Sequence, residues 1–199
     1  MNSSFGAKRG VLRCSRCGTF VDWPDARAQV VCQCRPRIEL PPVLVREASD
    51  AEREAALDLF RRDFGPNGIV AFGQVIDVDA APTIVADMDR GIGGALAYRL
   101  IDGGLHIVAL ATDPMWQRSG VGGHLVAEVE LLARRLRIPR VIVSTTNDNL
   151  PTLYFYQRRG YYVTEWIPNG VAKHSKSASL IGFAGIPIRD EVRLEKMIV

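Results

Sequence analysis

The sequence reads Gln117-Arg118-Ser119-Gly120-Val121-Gly122 between a short apolar run and a long amphipathic segment. Glycine in such a turn lets backbone N–H groups approach a ligand with no side chain in the way. The segment beyond the turn predicts a helix whose apolar face consists of Val121, Leu125, Val129, Leu132 and Leu136. The first N–H groups of a helix have no internal acceptor, so the turn predicts a phosphate site, although a purely structural turn would read the same.

Two familiar nucleotide-binding motifs do not fit this turn. A Walker A loop requires Lys and then Ser or Thr after its last glycine, whereas Gly122 is followed by Gly123 and His124. A dinucleotide-binding fingerprint requires a small residue three positions after Gly122, where the chain has Leu125. The turn is therefore predicted to bind a phosphate through a motif that is neither of these two.

Strands and helices alternate around the turn. Ser49 or Asp50 is predicted to cap a helix that runs through Phe60, and Pro151 begins a helix that Gly160 ends. Strand-like segments occupy residues 43–46, 83–86, 95–100, 105–111, 140–145, 161–166 and 191–197. The order predicts an α+β fold, with one mixed sheet and helices packed on it.

A second motif follows one predicted strand after the turn. Residues 149–161 read Asn-Leu-Pro-Thr-Leu-Tyr-Phe-Tyr-Gln-Arg-Arg-Gly-Tyr. The turn and this segment together resemble the two motifs of GNAT N-acetyltransferases, an Arg/Gln-x-x-Gly-x-Gly/Ala turn and an Asn…Tyr…Gly-Phe segment. The second motif matches at Asn149, Phe155, Tyr156 and Gly160. It departs from the family pattern at Thr152, where Ala is usual, and at Tyr161, where Phe is common.

The resemblance covers the chain from Val43 onward and implies a GNAT-like, mostly antiparallel sheet flanked by helices. It also implies acetyl transfer from acetyl-CoA to a primary amine, of a small molecule, a peptide or a protein. In that reading the turn holds the CoA pyrophosphate, while Asn149 and the end of the preceding strand hold the pantetheine arm. The implied cofactor-binding residues are Leu110, Ala111, Thr112, Gln117, Arg118, Ser119, Gly120, Val121, Gly122, Asn149 and Tyr156.

The resemblance makes Tyr156 the general acid that protonates the leaving thiolate, with a plain core aromatic as the alternative. Many family members carry a Glu on the strand before the turn, but Val108 stands around that place. Strict alternation along the strand puts His106 on one face with Val108 and Leu110. We therefore consider His106 as the base, acting through water, or as a structural histidine. His174, and a water chain held by Ser144 and Asp148, are weaker candidates.

All the cysteines of the chain lie near its start: Cys14, Cys17, Cys32 and Cys34. Two short strands, at residues 19–21 and 29–31, are predicted between the pairs, with a turn at residues 22–25. Four thiolates suit tetrahedral Zn²⁺, so we predict a zinc-ribbon-like hairpin module with structural zinc; a redox dithiol or a disulfide is the alternative. The predicted organisation is the module at residues 1–38, a Pro-rich linker at 39–43 and the acetyltransferase domain at 44–199.

Composition sets the remaining expectations. A hydrophobic fraction of 47% with 24% charged residues is typical of a globular protein, and a net charge of +3 is too small to indicate nucleic acid. No secretory signal or membrane span is recognised, so a cytoplasmic protein is expected. The expected partners are an amine acceptor and a protein or nucleic acid bound by the cysteine module, with a homodimer left open. A non-catalytic acyl-CoA sensor remains the alternative function.

Overall fold

The computed structural model describes residues 41–66, 68–88, 91–174 and 180–198, and the backbone of residues 10–13 and 20–23. The chain divides into two compact units, Met1–Glu39 and Leu40–Val199. None of its described helices has the length and apolar character that crossing a membrane requires.

In the first unit, strand β1 (Gly10–Arg13) pairs antiparallel with β2 (Phe20–Trp23). The pair aligns Arg13 with Phe20 at one end and Gly10 with Trp23 at the other. The predicted turn at residues 22–25 was wrong at Asp22 and Trp23, which continue β2. The four cysteines and the predicted strand at 29–31 lie outside the described residues.

The second unit carries the other elements, and their bounds follow the chain. They are β3 (Leu44–Glu47), α1 (Asp50–Phe64), β4 (Ile69–Ala71), β5 (Gln74–Ile76), β6 (Thr83–Met88), β7 (Gly91–Ile101), β8 (Gly104–Thr112), α2 (Val121–Arg135), β9 (Arg140–Thr146), α3 (Leu150–Gln157), β10 (Tyr162–Ile167), β11 (Leu180–Ile181), β12 (Pro187–Ile188) and β13 (Glu191–Met197).

A seven-stranded sheet runs in the order β10-β13-β9-β8-β7-β6-β3. Every neighbouring pair in it is antiparallel except β8 and β9, which are parallel. Helices pack on it, and the predicted α+β class with a mostly antiparallel mixed sheet is confirmed. One core lies between the sheet and α2, and includes Leu105, Ile107 and Leu125. The other lies on the opposite face, under α1 and the β4–β5 hairpin, and includes Phe60 and Val108.

Strands β8 and β9 separate after a short parallel contact, which runs from Leu105↔Val141 to Ile107↔Val143. On its other side β8 pairs with β7, but the register shifts because Tyr98 faces Ile107 and Ala97 faces Ala109. Val108 is thus the extra residue of a β-bulge. The bulge reverses the alternation, so Leu110 packs toward α2 while Val108 packs in the α1 core. The expectation that His106, Val108 and Leu110 share one face was therefore wrong at Leu110.

The β4–β5 hairpin was not predicted from the sequence. Its strands are three residues each, and they pair from Ile69↔Ile76 to Ala71↔Gln74. The two-residue turn between them places both Phe72 and Gly73 at positive φ, 55° and 73°. This hairpin tip reaches the sheet near the point where β8 and β9 separate, as the contacts of Phe72 below show.

Candidate active site

The phosphate-binding turn lies between the 3₁₀ turn Pro114–Trp116 and helix α2. Gly120 is the N-cap of α2 and takes a left-handed conformation with φ 116°, which favours glycine. Its carbonyl accepts from Gly123 N at 2.8 Å and from His124 N at 3.2 Å. Within the described part of the chain, the N–H groups of Gly120, Val121 and Gly122 donate to no acceptor. These free donors at the positive end of the helix can bind a phosphate.

The start of α2 is held close to the end of β8 by direct packing on β7. A Cβ added at Gly94 of β7 would lie 2.9 Å from Ala111 O and 3.0 Å from Val121 Cγ1. Only glycine leaves room for so close an approach. The turn is therefore fixed beside the residues 110–112 that sequence analysis assigned to the pantetheine arm.

The side chains of Phe155 and Arg159, from α3 and just beyond it, lie over the first turn of α2. A Cβ added at Gly123 would lie 2.5 Å from Arg159 Nη2, and one at Gly122 would lie 3.6 Å from Phe155 Cζ. The Arg159 guanidinium carbon stacks 3.7 Å above the Phe155 ring, and Nη1 donates to the Phe155 carbonyl at 3.0 Å. Burial lowers the pKa of Arg159, and no described carboxylate pairs with it. A guanidinium and a helix N-terminus together form a strongly positive site.

The end of β8 presents an open backbone edge. Leu110, Ala111 and Thr112 pair with β7 on one side, but the contact with β9 has already stopped at Ile107. The Arg62 guanidinium of α1 donates to the Thr112 carbonyl at 2.9 Å. An extended ligand can therefore enter between β8 and β9 and meet an edge of β8 that no strand covers along residues 108–111.

Asn149 and Tyr156, the two candidates from the second motif, both belong to α3. Asn149 is its N-cap, and its side-chain oxygen accepts from Thr152 N at 3.2 Å, which leaves the amide nitrogen for another acceptor. Tyr156 is 2% exposed and packs edge-on against the rings of Phe155 and Tyr161. Burial raises the pKa of Tyr156 well above its usual range, so the phenol keeps its proton and can only donate it.

His106 lies on the face of β8 that the β4–β5 hairpin covers. The residue is 8% exposed, and its ring sits edge-on against Phe72, with ring centroids 4.5 Å apart. Neither ring nitrogen has a hydrogen-bond partner among the described residues. Its pKa is lowered below the ordinary 6.5, first because burial disfavours the charged ring and then because Arg140 is near; Asp102 and the Ile101 carbonyl act weakly the other way. His106 is therefore neutral at pH 7, with a nitrogen that can accept a proton.

The polar residues at the end of β9 are tied to the protein. Ser144 donates to the Glu191 carboxylate at 3.0 Å, and Asp148 accepts from Phe183 N at 2.9 Å. Glu191 is 1% exposed and accepts further bonds from the hairpin tip and from Arg193. A water chain through Ser144 and Asp148 finds no support in this bonding. The side chain of His174 lies outside the described residues.

Three contributors to the site were not named as site residues from the sequence. Arg159 lies in the second motif but was given no role, and Phe72 carried no signal at all. Glu191 was predicted only as the start of the strand at residues 191–197, and its bonds make it a structural carboxylate. In the described part of the chain, no group of three or more His, Cys, Asp or Glu side chains is placed to hold a metal ion.

Residues 44–161 match the sequence profile of the acetyltransferase (GNAT) family, which is more than half of the chain. The Bacillus subtilis (strain 168) protein YdhI, described as uncharacterized, is 30% identical over 145 residues, covering 71% of this chain and 89% of YdhI. A Bacillus subtilis acetyltransferase crystallised in complex with CoA is similar in fold, with a TM-score of 0.67, 19% identity, and coverage of 79% of this chain and 100% of that one. A GNAT family acetyltransferase from Elizabethkingia anophelis with acetyl-CoA bound has a TM-score of 0.65, 20% identity, and coverage of 78% and 97%. The profile match, the relative and the sheet that opens between β8 and β9 all agree: this chain belongs to the GNAT acetyltransferase family.

Proposed function

We propose that the protein is an acetyl-CoA-dependent N-acetyltransferase that moves an acetyl group to a primary amine. The observation that carries the proposal is the set of unpaired N–H groups at Gly120, Val121 and Gly122, held beside the open edge of β8. The fold similarity to acetyltransferases crystallised with CoA and with acetyl-CoA supports the same cofactor.

In this proposal the cofactor lies along the groove between β8 and β9. The backbone of Gln117, Arg118, Ser119, Gly120, Val121 and Gly122 binds the pyrophosphate, with Arg159 as a further cation beside it. The pantetheine arm pairs with the backbone of Leu110, Ala111 and Thr112 and with the Asn149 amide. Among these groups, the N–H groups of Gly120, Val121 and Gly122 have no acceptor among the described residues.

The chemistry is direct transfer in a ternary complex. The amine nitrogen attacks the thioester carbonyl carbon, a C–N bond forms and the C–S bond breaks. His106, neutral at pH 7, takes the proton that the amine loses, through a water molecule. Tyr156 donates its phenol proton to the departing thiolate. Acetylated amine and free CoA are the products.

The test is release of free thiol from acetyl-CoA across a panel of amines, peptides and aminoglycosides. We expect Tyr156→Phe to lower kcat by about a hundredfold, because general acid catalysis typically contributes this much. Tyr154→Phe is the matched control on the same helix, since Tyr154 is 46% exposed. We expect His106→Ala to lower kcat/KM by more than about tenfold near neutral pH. A panel without turnover would refute the enzymatic proposal. Full activity of Tyr156→Phe or of His106→Ala would remove the catalytic role of the substituted residue.

One observation favours the second function, an acyl-CoA sensor. Val108, around the place where many family members carry a Glu, is an apolar core residue that can accept no proton. A sensor would bind acetyl-CoA with the same affinity but release no thiol with any amine. The same panel, run beside a binding measurement, separates the two.

We further propose that residues 1–38 form a zinc module, joined by a linker at 39–43 to the catalytic domain at 44–199. The pairing of Arg13 with Phe20 supports this, because it brings together the chain on either side of Cys14 and Cys17. Cys32 and Cys34 would complete a set of four thiolates, which suits structural zinc. The full chain should contain one zinc per molecule, and Cys17→Ser should lose it; freely titratable thiols in the native protein would contradict the proposal.

The role proposed for the module is contact with a protein or nucleic-acid partner, and the proposed location is the cytoplasm. Whether two copies associate is decided by sedimentation of the full chain. A partner bound as nucleic acid would show affinity that falls steeply with salt.

A further inference from the structure

A pocket of about 360 Å³ opens beside His106 on the hairpin-covered face of the sheet. Phe72 from the hairpin tip and Ile142 from β9 form its apolar walls, and the remaining lining side chains are mostly charged. Its volume is within the range of pockets that bind small molecules. Two of its lining residues, His106 and Ile142, pair with each other one position before β8 and β9 separate. The pocket therefore lies next to the opening between these strands.

The His106 imidazole is the group in this pocket that lacks a hydrogen-bond partner. His106 is more than nine-tenths buried, and both of its nitrogens lack a partner among the described residues. A buried polar group in a native structure is normally hydrogen-bonded, so an orphaned one indicates a missing partner. Arg99, its cross-strand neighbour, does not supply one, because that guanidinium donates to the Asp77 carbonyl at 2.8 Å.

The charges around the pocket are unbalanced toward the negative. Its carboxylates are Asp102, Glu165 and Glu195, and its guanidiniums are Arg140 and Arg193. Arg193 is already shared between the buried Glu191 at 2.7 Å and Glu165 at 2.8 Å. Arg140 meets Glu195 at 3.5 Å. Among the lining residues the carboxylates exceed the guanidiniums by one, so the pocket attracts cations.

We propose that this pocket is the acceptor site, and that the acceptor is a small amine carrying a second positive charge. The second cation is held by the carboxylate of Glu165, and the reacting amine points toward His106. This inference rests on the proposed acetyltransferase function and narrows its substrate class from any amine to compact dicationic ones.

Three amines of equal chain length test the proposal, with acetyl-CoA and the full chain. They are 1,4-diaminobutane, butylamine and 4-aminobutanoate, whose far ends are cationic, neutral and anionic. We expect kcat/KM to fall in that order, by about tenfold from the diamine to butylamine, as for a charge that meets a complementary field.

A pocket variant and a matched control complete the design. Glu165→Gln should reduce the ratio of diamine to butylamine by about fivefold, because only the diamine carries a second cation that loses its contact. Glu128→Gln is the control, since Glu128 pairs with Arg135 on α2 and does not line the pocket. Its ratio should equal that of the unaltered protein.

The outcomes separate this inference from the proposed function. Equal use of the three amines, a preference for 4-aminobutanoate, or an unchanged ratio in Glu165→Gln would overturn the acceptor site. Turnover of peptides or aminoglycosides with none of the three amines would also overturn it, while leaving the acetyltransferase proposal intact. If no amine in the panel released thiol from acetyl-CoA, the acetyltransferase proposal would be refuted as well.

Discussion

Replacing Glu191 by alanine should release the β4–β5 hairpin from the sheet. The carboxylate is 1% exposed and accepts from Phe72 N at 2.9 Å, Gly73 N at 3.0 Å, Ser144 Oγ at 3.0 Å and Arg193 Nε at 2.7 Å. The two hairpin amides lie more than a hundred residues before Glu191 in the sequence. The contact therefore joins distant parts of the domain. We infer that it fixes the tip that buries His106.

The magnitude follows from what the substitution leaves behind. Two backbone donors and a half-buried guanidinium lose their acceptor together, and breaking a buried ion pair on one side typically costs about 3–5 kcal/mol. Glu191→Gln keeps the shape and one oxygen, but its amide group must face donors, so we expect a loss of about 2 kcal/mol. The other partner of Arg193 is Glu165, half-exposed, and Glu165→Gln should cost less than about 1 kcal/mol.

Urea unfolding at pH 7, followed by circular dichroism, measures these differences. Limited proteolysis of the folded variants reports the hairpin locally, and cleavage near residues 72–74 should increase in Glu191→Ala. If Glu191→Ala lost less than about 1 kcal/mol, the reasoning from its four bonds would be refuted.

Three further results are expected. Arg159→Ala should raise KM for acetyl-CoA about tenfold while Arg158→Ala, its exposed neighbour, changes it little; equal effects would contradict a specific role for Arg159. Because burial lowers the pKa of His106 below 6.5, kcat/KM should rise with pH through an inflection below 6.5, and stability should fall as pH drops below 6.5, since the unfolded chain takes up that proton more readily; an inflection above 7 would exclude His106. Gly94→Val should destabilise the fold by about 2 kcal/mol in thermal unfolding, because its Cβ would meet the Ala111 carbonyl and Val121; a neutral result would show that α2 does not pack as closely as described.

The regular elements with strong periodicity were predictable from the sequence. The predicted strand at residues 191–197 coincides with β13, and the apolar stripe from Val121 predicted α2 to within a residue. The turn before α2 was predicted with its glycines, because left-handed backbone and close approach both require that residue type. Local signals sufficed where the local chain determines the structure.

The features that a local pattern does not encode were missed. The β4–β5 hairpin has three-residue strands and a Phe in a left-handed turn, and neither carries a turn signal. The bulge at Val108 lies within an apolar run, so nothing in the sequence indicated that Leu110 faces the opposite side of the sheet from Val108. The environment of His106 depends on Phe72, and that of Glu191 on the same hairpin, so both are products of long-range packing.

Amide chemical shifts during titration with CoA test the site at the start of α2 most directly. We predict that the largest shifts fall on the N–H groups of Gly120, Val121 and Gly122, and that pantetheine, which lacks the phosphates, leaves these three signals in place. Binding of CoA that left these amides unmoved, or equal shifts with pantetheine, would contradict the assignment of the diphosphate to this turn.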